Sequence, residues 1–424
     1  MLQPGSRALD TSRSRTARDS RVEALLDTAS QELNVRGVAG ASLAGIARSL
    51  GLTRAALYYY VKDREDLVFQ CYRRSCAVMA RDLAAAASEP GDGLARLLSF
   101  TRRALDPDRP PAAVLSELDY LQGEARAQIA AAHADNVAAL RAIIRMGIAD
   151  GSLRGCDDEI IAQTLIGLVA WAPLSVAWVE ATDATFRART VNALDDLIRH
   201  GQASDPAYRF VPPVRIGAFR PAPPKPFDRA AVAEAKIDEL LLTASDLFNR
   251  RGVDGVSLDD ITGALGATKG ALYHYLENKT DLVVRCYRRA YDLYERFADA
   301  AEASRGSGLE AALVGHYLNI QAHTAGLSPL IQLAGAEALP AKAGQEIRRR
   351  SRALQRRFEA FGRRGLADGS NRPVDFDAIS QLGAGSFQWL PKWIDRGDPR
   401  TADAIAEEIL GLFVHGLRPR REAP

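Results

Sequence analysis

The sequence predicts an all-α chain in which one unit is written twice, each unit being a compact three-helix helix-turn-helix followed by a larger helical bundle. Three observations lead there. Residues Leu25–Arg74 align without a gap on Leu240–Arg289 at a shift of 215, with 27 of the 50 positions identical, and a repeat of that strength defines the architecture before any element is read. Apolar residues recur in both copies at the spacing of amphipathic helices. Strand signals are few, and the likeness persists downstream, where Ala149-Asp-Gly-Ser152 answers Ala367-Asp-Gly-Ser370 and Trp171-Ala-Pro173 answers Trp389-Leu-Pro391 at a shift of 218.

Taken in order, residues 1–20 are rich in Ser and Arg and poor in apolar side chains, which reads as a disordered basic arm. The domain at 21–66 opens with Val22, Leu25, Leu26, Ala29 and Leu33 on one helix face, matched by Ile237, Leu240, Leu241, Ala244 and Phe248 in the domain at 236–281. Gly37 and Gly252 stop that helix. Ser42 and Ser257 stand at the next N-cap, with Asp260 completing a capping box, and Leu43, Ile46, Ala47 and Leu50 form a second, short stripe. Gly51 and Gly266 sit at the tight bend, where a positive φ costs a residue without Cβ least. Thr53 and Thr268 then cap a third short helix, and two short helices about a tight turn make a helix-turn-helix.

The bundles follow at 67–201 and 282–418. In the first, helical pattern runs over 63–88, 92–105, 112–150, 157–181 and 184–200. Between the units, the stretch 202–235 carries seven of the 20 prolines and reads as a semi-extended, Pro-rich linker. Gly167–Trp178 and Gly385–Trp393 each place a proline inside an apolar helix, which should kink it. The tryptophans beside the kink serve either core packing and a subunit contact or the wall of a cavity.

Composition narrows the function. Of 424 residues, 47% are hydrophobic and 25% charged, which excludes wholesale disorder. No uninterrupted apolar run is long enough for a membrane span, and Arg7, Arg13, Arg15 and Arg18 precede no apolar core, so a cytoplasmic protein is expected. The four cysteines form no CxxC pair and the six histidines no HxxxH spacing, so no metal site is expected. Phosphate-binding, nucleophile-elbow and dinucleotide motifs are absent, so neither an enzyme nor a cofactor is expected. Cys71 and Cys286 are equivalent positions, either a redox pair or small buried helix residues.

A net charge of +2 leaves any nucleic-acid reading to local patches. In the third helix Leu57 and Val61 continue the buried stripe, so Arg54, Ala55, Tyr58 and Tyr59 form the outer face. Thr, Tyr and Arg or Lys hydrogen-bond phosphate oxygens, a cation pairs with guanine edges, and small residues permit close approach to a major groove. Arg64 and Lys279, early in the next helix, could add phosphate contacts. The plainer reading is a set of ordinary solvated side chains.

At this point the residues resemble a known family. Leu50-Gly-Leu-Thr-Arg-Ala-Ala-Leu-Tyr-Tyr-Tyr-Val-Lys-Asp-Arg-Glu-Asp-Leu67 is similar to the DNA-binding signature of TetR/AcrR-type transcriptional regulators, and Leu265–Leu282 is similar to it again. The resemblance implies two TetR-like units, each a DNA-binding domain followed by a helical ligand-binding and dimerisation bundle. It implies that Thr53, Arg54, Ala55, Tyr58 and Tyr59 face DNA in the first copy and Thr268, Lys269, Gly270, Tyr273 and His274 in the second, with Arg64 and Lys279 on the family's phosphate-binding lysine. The chain departs from the pattern at Val61 and Leu276, where the family usually has Phe, and at Arg64.

Since family members usually place two identical recognition helices in successive major grooves, a tandem chain could fold as a covalent pseudo-dimer on an operator with unequal half-sites, with or without a further homodimer. Residues 21–74 carry a balance of +2 and residues 236–289 a balance of 0, so the first copy should supply more of the electrostatic grip. The arm is either a solvated tail or a minor-groove contact. The expected function is a ligand-responsive repressor of double-stranded DNA, with an effector that the resemblance makes apolar or acyl-CoA-like. The rival is a small-molecule-binding or scaffolding protein in which one or both helix-turn-helix units no longer bind DNA.

Overall fold

The computed structural model describes residues 6–175, 178, 184–225, 227–268, 270, 272, 275–332, 339–395 and 397–419, with backbone alone for 6–19 and 184–187. Among the described residues all regular elements are helical, save one bridge pairing Ala203 with Asn371. The first unit comprises α1 (Ser6–Gly40), α2 (Leu43–Ser49), α3 (Arg54–Leu57), α4 (Arg64–Ser88), α5 (Gly93–Ala104), α6 (Gly123–Ala149), α7 (Asp158–Ser175) and α8 (Ala184–His200). The second comprises α9 (Arg229–Arg251), α10 (Leu258–Leu265), α11 (Lys279–Ala303), α12 (Gly308–Thr324), α13 (Ala341–Ala367), α14 (Phe376–Gln388) and α15 (Ala402–His415).

Two expectations change at the starts of helices. Residues 6–20 continue α1 instead of forming a disordered arm. From Ser6 to Arg36 there is neither Gly nor Pro, so nothing stops the helix from propagating toward the N-terminus until Gly37 breaks it at φ 70° at the other end. The helix expected from 112 begins only at Gly123. Pro110 and Pro111 would be tolerated at a helix start, but the chain after them is held out of helix by Asn34 of α1, whose Nδ2 donates to the Ala112 carbonyl (2.8 Å) while its Oδ1 accepts from the Val114 N–H (2.8 Å). Asn249 of α9 repeats this staple on Pro329 and Ile331.

The Ala-Asp-Gly-Ser repeats are explained by α5 and α12. Asp150 and Ser152 accept from the N–H groups of Gly93 and Leu94, and Asp368 and Ser370 accept from those of Gly308 and Leu309. Each supplies partners for the orphan donors of a helix start from a distant turn.

The units meet through α7 and α8 packed on α14 and α15. Gly167 and Gly385 face each other where α7 crosses α14, so close that a Cβ on Gly167 would lie 2.5 Å from the Gly385 oxygen and one on Gly385 2.3 Å from the Gly167 oxygen. Trp171 and Trp389 flank the crossing, and the Trp389 indole N–H donates to Gln163 (3.3 Å). Bidentate Arg189–Asp375 and Arg372–Asp196 pairs close its edges. Pro173 lies within α7, whereas Pro391 falls in a 3₁₀ turn after α14 has ended, so the equivalent prolines do not act alike. The linker is docked rather than free: Gln202 and Ala203 donate to Phe413 and Val414, Ile216 and Phe219 are buried, and the Phe219 ring stands edge-on to Phe297.

The cores are unequal. The first helix-turn-helix packs as its own cluster around Leu25, Ile46, Leu57 and Leu67. The second packs continuously with both bundles, Phe248, Ile261 and Leu272 joining the same core as Leu165 and Leu382.

Candidate nucleic-acid interface

In the first unit Ser42 caps α2 by accepting from the Gly45 N–H, and Thr53 caps α3 by accepting from that of Ala56. Gly51 between them has φ 66°. Leu57 and Val61 are buried, which turns Thr53, Arg54 and Ala55 outward with Tyr58 (43% exposed) and Tyr59 (82% exposed). Arg54 lies over the Tyr58 ring at 5.9 Å and donates to its hydroxyl (3.3 Å). The pair thus holds a guanidinium on an aromatic face at the surface. Arg64 is half-buried, with its guanidinium 3.5 Å from the Ala39 carbonyl.

In the second unit Ser257 and Asp260 form the expected capping box and Gly266 has φ 61°. The Ser257 hydrogen bonds hold the Asp260 carboxyl down at about 2. Thr268 and Gly270 are exposed and Leu272 is buried, in register with Thr53, Ala55 and Leu57. Lys269, Tyr273 and His274 lie outside the described residues. Lys279 differs from Arg64. Half-buried, it has its pKa lowered by burial, against the opposing attraction of Asp254, Asp260 and Glu117.

Sequence reasoning did not single out Glu117, Asp254 and Lys392, which lie where the two helix-turn-helix domains meet. The Ala39 N–H donates to Asp254 (3.2 Å) and the Val38 N–H to Glu117 (2.6 Å). Glu117 also abuts Gly252, and Lys392 donates to the Ser116 carbonyl. Burial raises the Glu117 carboxyl to about 7 and lowers the Lys392 ammonium to about 8. The one available signal was a difference between copies, Asp254 standing where the first copy has Ala39. Cys71 and Cys286 are free, buried and pushed up to about 12, which removes the thiolate that redox chemistry needs. Among the described residues no cluster of His, Cys, Asp or Glu could hold a metal ion, and no helix is long and apolar enough to cross a membrane.

Two capped helix-turn-helix heads on one helical body define a tandem regulator. Residues 25–71 and 240–286 match the bacterial regulatory proteins of the tetR family, and residues 87–174 and 309–417 match the tetracyclin repressor-like C-terminal domain. These matches cover more than half of the chain, which belongs to the TetR family of DNA-binding, ligand-responsive regulators. It is similar to the HTH-type transcriptional repressor KstR2 of Mycolicibacterium smegmatis, 23% identical over 195 residues (45% of this chain, 94% of that protein). KstR2 of Rhodococcus jostii is 26% identical over 203 residues (46% and 97%). Among solved structures, KstR2 of Mycobacterium tuberculosis is 21% identical with TM-score 0.39 (44% and 96%). AibR in complex with isovaleryl coenzyme A and operator DNA is 21% identical with TM-score 0.36 (42% and 97%).

Proposed function

We propose that the chain is a ligand-responsive transcriptional repressor acting as a covalent pseudo-dimer, in which α7, α8, α14 and α15 take the place of a subunit interface. Thr53, Arg54, Ala55, Tyr58 and Tyr59, with Arg64 on a phosphate, meet one half-site. Thr268, Lys269, Gly270, Tyr273 and His274, with Lys279, meet the other, and the difference between the two sets makes the half-sites unequal. The observation that carries this reading is the ridge itself. Folding gives no reason to leave Tyr59 82% exposed beside a stacked Arg54–Tyr58 pair, whereas a groove lined with phosphates and base edges does. The KstR2 relatives, named as repressors, support the sign of regulation.

The test is a mobility shift at low salt with DNA from upstream of the protein's own reading frame. Wild type binds, Arg54→Ala and Tyr59→Ala weaken binding, and unchanged binding by both overturns the reading. A second reading has its own support: Lys279 is drawn toward Asp254, Asp260 and Glu117, and residues 236–289 around it carry no net charge, which favours a second head that is structural. Tyr58→Ala and Tyr273→Ala separate the two, since equal losses mean that both heads bind and a loss from Tyr58→Ala alone means that only the first does.

A further inference from the structure

Each bundle contains a cavity, and the two are unequal. The first, about 750 Å³, is mostly apolar, with Phe100, Leu105 and Ile166 among its walls. It reaches down to Gln31, Asn34 and Val35 of α1 and is closed on one side by Trp389 and Gln381 of the second unit. The second measures about 130 Å³ and is closed by Trp171 and Trp178 of the first unit. Among the described residues none of α9 lines it. Pockets that take drug-sized ligands span roughly 300–1,000 Å³, while an engineered void of roughly 150 Å³ holds a benzene. Of these two cavities, the first alone is therefore large enough for a sizeable molecule.

The repeat explains the inequality residue by residue. At the shifts that align the helices, Cys76, Met79, Leu115 and Ala170 of the first unit answer Tyr291, Tyr294, Gln332 and Gln388 of the second. The second set is bulky and bound together: the Gln332 N–H donates to Gln388 (2.7 Å) and its side chain to Ser351 (2.9 Å) and to the Tyr291 hydroxyl. That network fills the space which the smaller set leaves open. Where Ser351 anchors it, the first unit has His133, which lines the open cavity edge-on to Trp389 at 6.3 Å. Burial lowers the His133 pKa and keeps the ring neutral, so it offers one donor and one acceptor.

We infer that the chain has a single effector site, the first cavity, which takes an apolar molecule carrying a neutral hydrogen-bonding group directed at His133, and that occupancy is transmitted to the first helix-turn-helix alone. This rests on the ligand-responsive reading above and narrows it. Transmission follows from the floor. A ligand there touches Asn34, which staples α1 to residues 112–114, and the domain that α1 carries has its own separate core. The second head shares the common core and its cavity does not reach α9.

N-phenyl-1-naphthylamine suits the test, being apolar and uncharged with one N–H. Titrated into the full chain and followed by fluorescence and native mass spectrometry, it is expected to bind once. His133→Ala should weaken uptake about three- to tenfold, as loss of one hydrogen bond does. Ala170→Gln with Cys76→Tyr, which copies the plug, should abolish uptake; the reciprocal Tyr291→Cys with Gln388→Ala should raise the stoichiometry to two, and serves as the decisive arm if the first variant does not fold. Hydrogen exchange with the probe should gain protection at 31–40 and 112–115 and stay unchanged at 246–255. Two probes bound to wild type, uptake that survives a folded plug variant, or equal protection of both copies overturns the inference. Absence of uptake by wild type overturns both the site and its ligand class, and the mobility shift, run separately, shows whether the regulator reading stands without them.

Discussion

In Gly167→Ala the added methyl would stand 2.5 Å from the Gly385 carbonyl oxygen and 2.7 Å from the Trp389 Cβ, where Cβ contacts normally exceed about 3.4 Å. The neighbours are backbone and the root of a large ring, so neither rotates away, and α7 and α14 must part by close to 1 Å. Overpacking of this kind costs about 1–3 kcal/mol. Against it stands the gain of about 1 kcal/mol from replacing Gly by Ala inside a helix, leaving a net loss of about 0–2 kcal/mol against wild type and of about 1–3 kcal/mol against a helix glycine whose Cβ meets nothing. Gly263→Ala in α10 is the control, because its Cβ would meet nothing within 4 Å and only the helix gain remains. The assay is urea unfolding followed in parallel by circular dichroism and tryptophan fluorescence. All four tryptophans, Trp171, Trp178, Trp389 and Trp393, lie in or beside the contact between the units, so fluorescence reads the junction. Gly167→Ala should move the fluorescence midpoint down, Gly385→Ala should do likewise, and Gly263→Ala should not. The double variant should lose less than the two losses combined, since one displacement relieves both clashes. A Gly167→Ala chain as stable as the Gly263→Ala control, or strictly additive losses, would refute the close crossing.

Three further outcomes are expected. Arg54→Ala should reduce the slope of log affinity against log salt by about 0.9 if its guanidinium neutralises a phosphate; a lower affinity with unchanged slope would assign it to a base edge. Glu117, raised to about 7 by burial with Asp254, Lys279 and Lys392 facing it, holds a proton that the unfolded chain gives up near its ordinary value of 4.5. Its contribution is full below about 4.5 and is lost as pH rises through about 7, so the stability advantage of wild type over Glu117→Gln should be greater at pH 5 than at pH 7.5, and a flat difference would contradict the buried carboxyl. Asn34→Ala leaves the Ala112 carbonyl and Val114 N–H without their partner and should cost about 2–3 kcal/mol. It should speed hydrogen exchange in α1–α3 while leaving the tryptophan transition in place, and a joint shift of both would mean that the first head has no separate core.

What the sequence disclosed was periodic or local. The capping residues Ser42, Thr53 and Ser257, the positive φ of Gly51 and Gly266, and the outward ridge around Tyr59 all follow from spacing and cap chemistry within a few residues. The extended stretch before Gly123 escaped because its hydrogen bonds go to Asn34, nearly eighty residues away. Glu117 and Lys392 escaped for the same reason. Each looks like a surface charge in sequence, yet Glu117 is buried between Val38 of one head and Gly252 of the other, and Lys392 is half-buried on the Ser116 carbonyl. Gly167 and Gly385 were noticed as parts of a repeated Gly–Trp pattern, but their use, letting two backbones touch, belongs to a partner helix some 218 positions away.

Joining two units in one chain changes what each can become. In a homodimer any substitution that fills one cavity fills both, and any that loosens one head loosens its mate. Here Tyr291, Tyr294, Gln332 and Gln388 consolidate the second body while Cys76, Met79, Leu115 and Ala170 leave the first one open. Docking of the linker through Gln202, Ala203 and Arg215 keeps the halves at a high effective concentration, so the junction need not supply the affinity that free subunits require. An effector that prefers one position of a single head has only that head to move, because the other is packed into the common core. A given differential affinity is then spent on one displacement instead of two, and the separation of the heads still changes.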